Sequence, residues 1–98
     1  MIGNPMQAAL NAQINAEQYS AQLYLAMAAH CTTMSFKGLA HWLTVQAGEE
    51  TAHATKLIQF LLDRGGKLEL KPIAAPPMDF GGVVQVFEQR ANRGAAVG

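Results

Sequence analysis

The first third of the sequence is a long run without helix breakers, and this feature restricts the fold more than any other. Asn4 followed by Pro5 is typical of a helix start, with Asn4 as the capping residue. No Gly or Pro follows up to about Thr33, and most residues are Ala, Gln, Leu, Met or Asn. The sequence therefore predicts one long helix over about residues 5–33.

A second helical pattern follows almost at once and ends at a glycine pair. Ser35 is a candidate cap for it, and the pattern continues over about residues 36–64 until Gly65 and Gly66 stop it. Because the connection between the two patterns is short, the helices are predicted to form an antiparallel hairpin. The expected fold class is all-α.

The remaining third contains a long loop, a short helical segment and a tail. Residues 65–82 are predicted to form a loop, since residues 67–82 include three prolines, and this loop is long enough to run back along a helix. Residues 83–91 are predicted to form a short third helix, and residues 92–98 a flexible tail. We interpret residues 1–98 as a single small domain.

Charge is scarce in this chain and evenly balanced. Only 14% of the residues are charged, against an average of about 25%, so little charge is available to cover the surface of a monomer and a homo-oligomer is favoured. Seven basic and seven acidic residues form no basic stripe, which argues against a nucleic-acid or membrane partner. With no bilayer-spanning apolar run and no positively charged N-terminus, the predicted location is the cytoplasm.

Glu17 is the first charged residue of the chain, and it falls within the apolar stripe of the first predicted helix. In the second helix Glu50 occupies the apolar stripe in the same way, and His53 borders it one turn later. In a hairpin that turns near residues 34 and 35, position 17 lies opposite position 52. The three side chains are therefore predicted to converge, and the partner that best compensates their burial is a divalent metal ion.

Each of these residues also has a simpler interpretation. A lone Glu in an apolar stripe can extend to the edge of the core, and a lone His is often a hydrogen-bonded core residue. Tyr24 is either a core aromatic or a phenol that lines the site. Glu49 is interpreted as solvated surface or as an accessory metal contact. His30 and His41 lie on polar faces and are expected at the surface.

Three stretches of the sequence resemble the bacterial-type non-haem ferritins. They read AEQYSAQLYLAMAAHC, GLAHWLTVQAGEETAHATKL and RGGKLELKPIAAPPMDFGG, and the likeness extends over about residues 4–88. The resemblance implies that Glu17, Glu50 and His53 are ferroxidase iron ligands, with Tyr24 and Glu49 close to the site. It also implies oxidation of Fe(II) by oxygen or peroxide and storage of ferric mineral. Haem is not expected, because Thr51 stands where haem-binding relatives carry Met.

The resemblance covers only the N-terminal half of a ferritin bundle. Arg93 and Gly94 stand where the family has a His-Glu pair, so we interpret the chain as a truncated, ferritin-like half-domain. A ferritin-like di-iron core uses a Glu from each of two helices and a Glu-x-x-His from each of the others. One chain supplies half of this set, and two chains related by a two-fold axis would supply all of it in a four-helix bundle.

Three hypotheses about function follow. The first is a ferroxidase with a di-iron site shared between two subunits of a homodimer or a larger homo-oligomer. The second is a structural or interaction protein, a helical hairpin whose ligands are idle. The third is a zinc-binding module, because zinc or manganese would fit the same residues as iron.

Overall fold

The computed structural model describes residues 2–82, 85 and 86, which contain two long helices and no strand. Helix α1 spans Asn4–Thr33 and helix α2 spans Lys37–Asp63, within one residue of the predicted bounds. The helices pack against each other as a hairpin with overall dimensions of 49 × 20 × 19 Å. This arrangement confirms the predicted all-α hairpin. None of the helices in this part of the chain is both long enough and apolar enough to cross a bilayer.

The connection between the helices depends on Ser35, which ends α1 instead of starting α2. Ser35 has a φ of 63°, and the following amide of Phe36 donates to the carbonyl of Cys31 at 2.9 Å. This is the geometry of a Schellman motif, in which a left-handed residue turns the chain away from the helix axis. The predicted Ser35 cap is therefore wrong, because Phe36 is the N-cap residue of α2 and no side chain caps that end.

The other predicted cap is wrong as well. Asn4 lies inside the first turn of α1, and Gly3 is the N-cap residue, without a capping side chain. The carbonyl of Gly3 accepts the first helical hydrogen bond, from Gln7 at 3.0 Å. At the far end of α2 the prediction is confirmed, because Gly65 has a φ of 73° and the helix ends at Asp63.

The core lies between the two helices and is closed at one end by the last part of the long loop and the residues after it. Phe80, near the end of the loop, and Val86, just after it, are almost fully buried against the helices. The remaining members of this cluster are residues of α1 and α2, namely Leu23, Tyr24, Met27, Ala28, Cys31, Ala40, Leu43 and Ala47. Cys31 is fully buried and packs as a small hydrophobic residue.

The loop after α2 returns along the polar face of α1. The side-chain nitrogen Nδ2 of Asn11 donates to the backbone carbonyl of Lys67 at 3.0 Å, and the side-chain oxygen Oδ1 of Asn11 accepts from the backbone amide of Glu69 at 2.8 Å. One turn later, Asn15 donates to the carbonyl of Pro72 at 3.2 Å. Asn11 is therefore buried, with 4% of its surface exposed, although helical periodicity places it on the face opposite Glu17.

His30 was predicted to lie at the surface, but most of its side chain is covered. Its side chain is 12% exposed, and its Nε2 atom forms a hydrogen bond with the carbonyl of Gly81. The ring also packs edge-to-face on Phe80, with centroids 5.7 Å apart. The cause is the path of the loop, which crosses the end of α1 and covers the polar face there. His41, by contrast, is exposed on α2 as predicted.

The predicted third helix, residues 83–91, is described only at Gln85 and Val86, which are helical. The amide of Val86 donates to the carbonyl of Gly82 at 3.2 Å. The other residues of this predicted helix and the predicted tail over residues 92–98 lie outside the described part of the chain.

Candidate metal centre

Three side chains with metal-binding atoms converge half-way along the helix hairpin. Glu17 extends from α1, and Glu50 and His53 extend from adjacent turns of α2. One ligand atom of each residue lies within 4.8 Å of the others. The Nδ1 atom of His53 is 3.8 Å from Oε2 of Glu17 and 3.7 Å from Oε2 of Glu50. The structure thus brings together the three residues that the sequence predicted to meet.

The two carboxylates occupy positions at which the helices otherwise carry apolar residues. Glu17 is 8% exposed and Glu50 is 7% exposed. The neighbours one turn before and after them on the same stripes are buried and apolar or small, namely Ile14, Ala21, Ala47 and Ala54. Burial of two like charges is costly unless other groups or a cation compensate it.

His53 gives the site an open side. Its side chain is 56% exposed, whereas the side chains of Glu17 and Glu50 are 11% and 9% exposed. The group therefore lies where the core meets the surface of the hairpin, with the imidazole outermost. The two carboxylate oxygens nearest to His53, Oε2 of Glu17 and Oε2 of Glu50, lie beneath the imidazole and are themselves closed to solvent.

A fourth residue at the site was missed by sequence reasoning. Gln13 lies one turn before Glu17 on α1, and its amide nitrogen donates a hydrogen bond of 2.8 Å to Oε1 of Glu17. The available signal was the spacing, because residues four apart on a helix are neighbours and a Gln–carboxylate pair at that spacing forms a bond.

Tyr24 and Glu49 lie in very different surroundings. Tyr24 is 2% exposed and belongs to the core cluster between the helices. Glu49 is exposed to solvent on α2, and it is not part of the three-residue group. The site-lining role of Tyr24 and the accessory metal contact of Glu49 stay predictions.

The donor set suits a divalent transition metal. Two carboxylates and one imidazole provide mixed oxygen and nitrogen ligation, which iron, manganese and zinc all accept. Three protein ligands also leave coordination positions for further groups. The residues present therefore fit iron.

Comparison with known proteins identifies the family. Residues 7–93 match the ferritin family model, described as a ferritin-like domain. The chain belongs to the ferritin family. The bacterial non-heme ferritin of Staphylococcus aureus is 36% identical over 93 residues, which are 95% of this chain and 56% of that protein. The bacterial non-heme ferritin of Staphylococcus haemolyticus is 38% identical over 88 residues, 90% of this chain and 53% of that protein.

Solved ferritin structures agree with the fold of the hairpin. The open-pore ferritin of the archaeon Archaeoglobus fulgidus has a TM-score of 0.96 and 39% identity, over 99% of this chain and 60% of that chain. A closed form of the same ferritin, engineered by site-directed mutagenesis, has a TM-score of 0.95, and the match covers 59% of that chain. The resemblance seen in the sequence is confirmed. The chain spans about half the length of the curated ferritins that it matches.

Proposed function

We propose that the chain binds Fe(II) through Glu17, Glu50 and His53 and oxidises it at a di-iron site shared between two subunits, as part of iron storage. The observation that carries this proposal is the convergence of two buried carboxylates and one accessible imidazole within 4.8 Å. Membership of the ferritin family supports iron as the metal. The cytoplasm is the location that we propose for this activity, from the sequence prediction.

The proposed site is shared between two chains. In our proposal Glu50 of each chain bridges two irons, while Glu17 and His53 each bind one iron. A two-fold axis would double the three ligands of one chain to the six of a ferritin-like di-iron core. Large apolar side chains that remain exposed on the hairpin are consistent with pairing of chains, namely Leu25 at 52%, Trp42 at 37%, Val45 at 44% and Phe60 at 40%.

Iron is the substrate in this proposal, and each Fe(II) loses one electron to become Fe(III). Dioxygen takes up two electrons and two protons to give hydrogen peroxide, or peroxide takes up two of each to give water. The carboxylates of Glu17 and Glu50 hold the ion and favour its higher charge, because anionic oxygen ligands stabilise a trivalent cation more than a divalent one. His53 is the most solvent-exposed of the three proposed ligands.

Zinc binding is the second candidate function, because the donor set does not by itself select iron. A zinc module would bind metal through the same residues but consume no oxygen. The interaction-protein hypothesis predicts pairing of chains without dependence on metal. Metal analysis together with native mass measurement separates these alternatives, since it gives metal identity and the number of subunits per metal.

The test of the proposal is iron oxidation by the pure protein. Fe(II) added in air should produce a ferric absorbance in the near ultraviolet, and His53→Ala should largely abolish it. His41→Ala is the matched control, because His41 is an exposed histidine of α2 outside the site. Equal rates for wild type and His53→Ala would overturn the proposed activity.

A further inference from the structure

The two carboxylate oxygens of Glu17 have different neighbours. Its amide nitrogen donates to Oε1 at 2.8 Å, while Oε2 is the atom 3.8 Å from His53. An ionised carboxylate only accepts hydrogen bonds, so the NH₂ end of the Gln13 amide must face it. One oxygen is therefore anchored to α1, and the other faces the remaining members of the candidate metal centre.

We infer that Gln13 is a positioning residue, which fixes the side chain of Glu17 so that Oε2 is presented to the metal. This inference rests on the proposed function, because it assumes that Glu17 is a metal ligand. A Glu side chain has three rotatable bonds and loses much freedom when it is fixed. An anchor on the same helix removes part of that freedom before the ion arrives, as hydrogen-bond partners behind metal ligands commonly do.

A second Gln–carboxylate hydrogen bond of the same kind lies outside the three-residue candidate metal centre. Gln59 donates to Asp63 at 2.8 Å, also four residues apart on a helix, but on the exposed surface near the end of α2. The two bonds have the same spacing and length. They differ in the carboxylate that they hold, which is buried at Glu17 and exposed at Asp63. Gln59 is therefore a matched control for any general effect of such a bond on the helix.

The first measurement is metal affinity without turnover. Co(II) is titrated anaerobically into wild type, Gln13→Met and Gln59→Met, and the visible absorption of the bound ion is recorded. Met has the length of Gln but no donor, so Gln13→Met should weaken binding by about 10-fold and alter the Co(II) spectrum. Gln59→Met should match wild type in both. Gln13→Ala repeats the test with a second side chain that has no donor, and alanine, the residue of highest helix propensity, keeps the helix intact.

The second measurement asks whether Gln13 acts through Glu17. In a Glu17→Gln background, Gln13→Met should cause no further loss of Co(II) affinity, since the anchored ligand is already gone. An equal loss in both backgrounds would overturn the inference, because it would mean that Gln13 affects the site by another route. Wild-type affinity in Gln13→Met and Gln13→Ala would overturn it too.

Failure of the proposed function gives a different result. If Glu17→Gln binds Co(II) as tightly as wild type, Glu17 is not a ligand, and the proposal falls together with the inference. If Glu17→Gln weakens binding but the Gln13 variants do not, only the inference is lost.

Discussion

Replacement of Glu17 by Gln should separate stability from metal binding. The ligand atoms of Glu17 and Glu50 lie within 4.8 Å of each other. At an effective dielectric constant of about 20, two negative charges at that distance repel each other by roughly 3.5 kcal/mol. Any positive charge on His53 offsets part of this repulsion, and the bond from Gln13 loses about 1 kcal/mol when its acceptor becomes a neutral amide.

When no metal is present, the relief of charge repulsion outweighs the weaker hydrogen bond, so the folded state of Glu17→Gln is favoured. We expect Glu17→Gln to raise the free energy of unfolding of the metal-free protein by about 1 kcal/mol, or about 4 to 8 °C in the midpoint for a domain of this size. Metal should reverse the order. At an ion concentration about 100 times the dissociation constant, wild type gains about 2.7 kcal/mol, and the variant forfeits about 1.4 kcal/mol of this for each tenfold loss of affinity.

The assay is thermal unfolding followed by circular dichroism, at one protein concentration, with and without Fe(II) under anaerobic conditions. Glu69→Gln is the matched control, because it removes the same charge from an exposed position in the loop. Equal midpoint increases with metal for wild type and Glu17→Gln would refute the assignment of Glu17 as a ligand. A lower metal-free midpoint for Glu17→Gln alone would refute the charge argument.

Three further predictions concern the fold. Asn11→Ala should lower the free energy of unfolding by about 1 to 3 kcal/mol in a urea titration, because it removes two part-buried hydrogen bonds, to the carbonyl of Lys67 and from the amide of Glu69. A loss below about 0.5 kcal/mol would contradict this. Ser35→Gly should stabilise by about 1 kcal/mol in the same assay, since Ser35 has a φ of 63° and Gly has no steric cost there. Cys31 should react with a thiol reagent at pH 8 only after unfolding, because burial raises the pKa of its thiol; rapid reaction of the native protein would show that the core opens readily.

The sequence alone determined the two helices and the level along the hairpin at which the candidate metal-binding residues meet. Helical spacing is a local property, so the position of Glu17 in the apolar stripe follows from 3.6 residues per turn. The short turn then places residues at equal distances from it opposite each other, which brings Glu17 to Glu50 and His53. The end of α2 at Gly65 also follows from local chemistry, since Gly adopts a positive φ at little cost.

Only the tertiary structure decided which polar residues are covered and which way their side chains face. Asn11 is buried by a loop residue 56 positions away in the sequence, and His30 meets Gly81, 51 positions away. Contacts at such separation depend on the path of the loop, which no periodic pattern encodes. The bond from Gln13 to Oε1 of Glu17 is local in sequence, whereas the approach of Oε2 to His53 joins residues of two different helices. Helix periodicity therefore identifies the candidate ligands, while the packing of the two helices brings their side chains together.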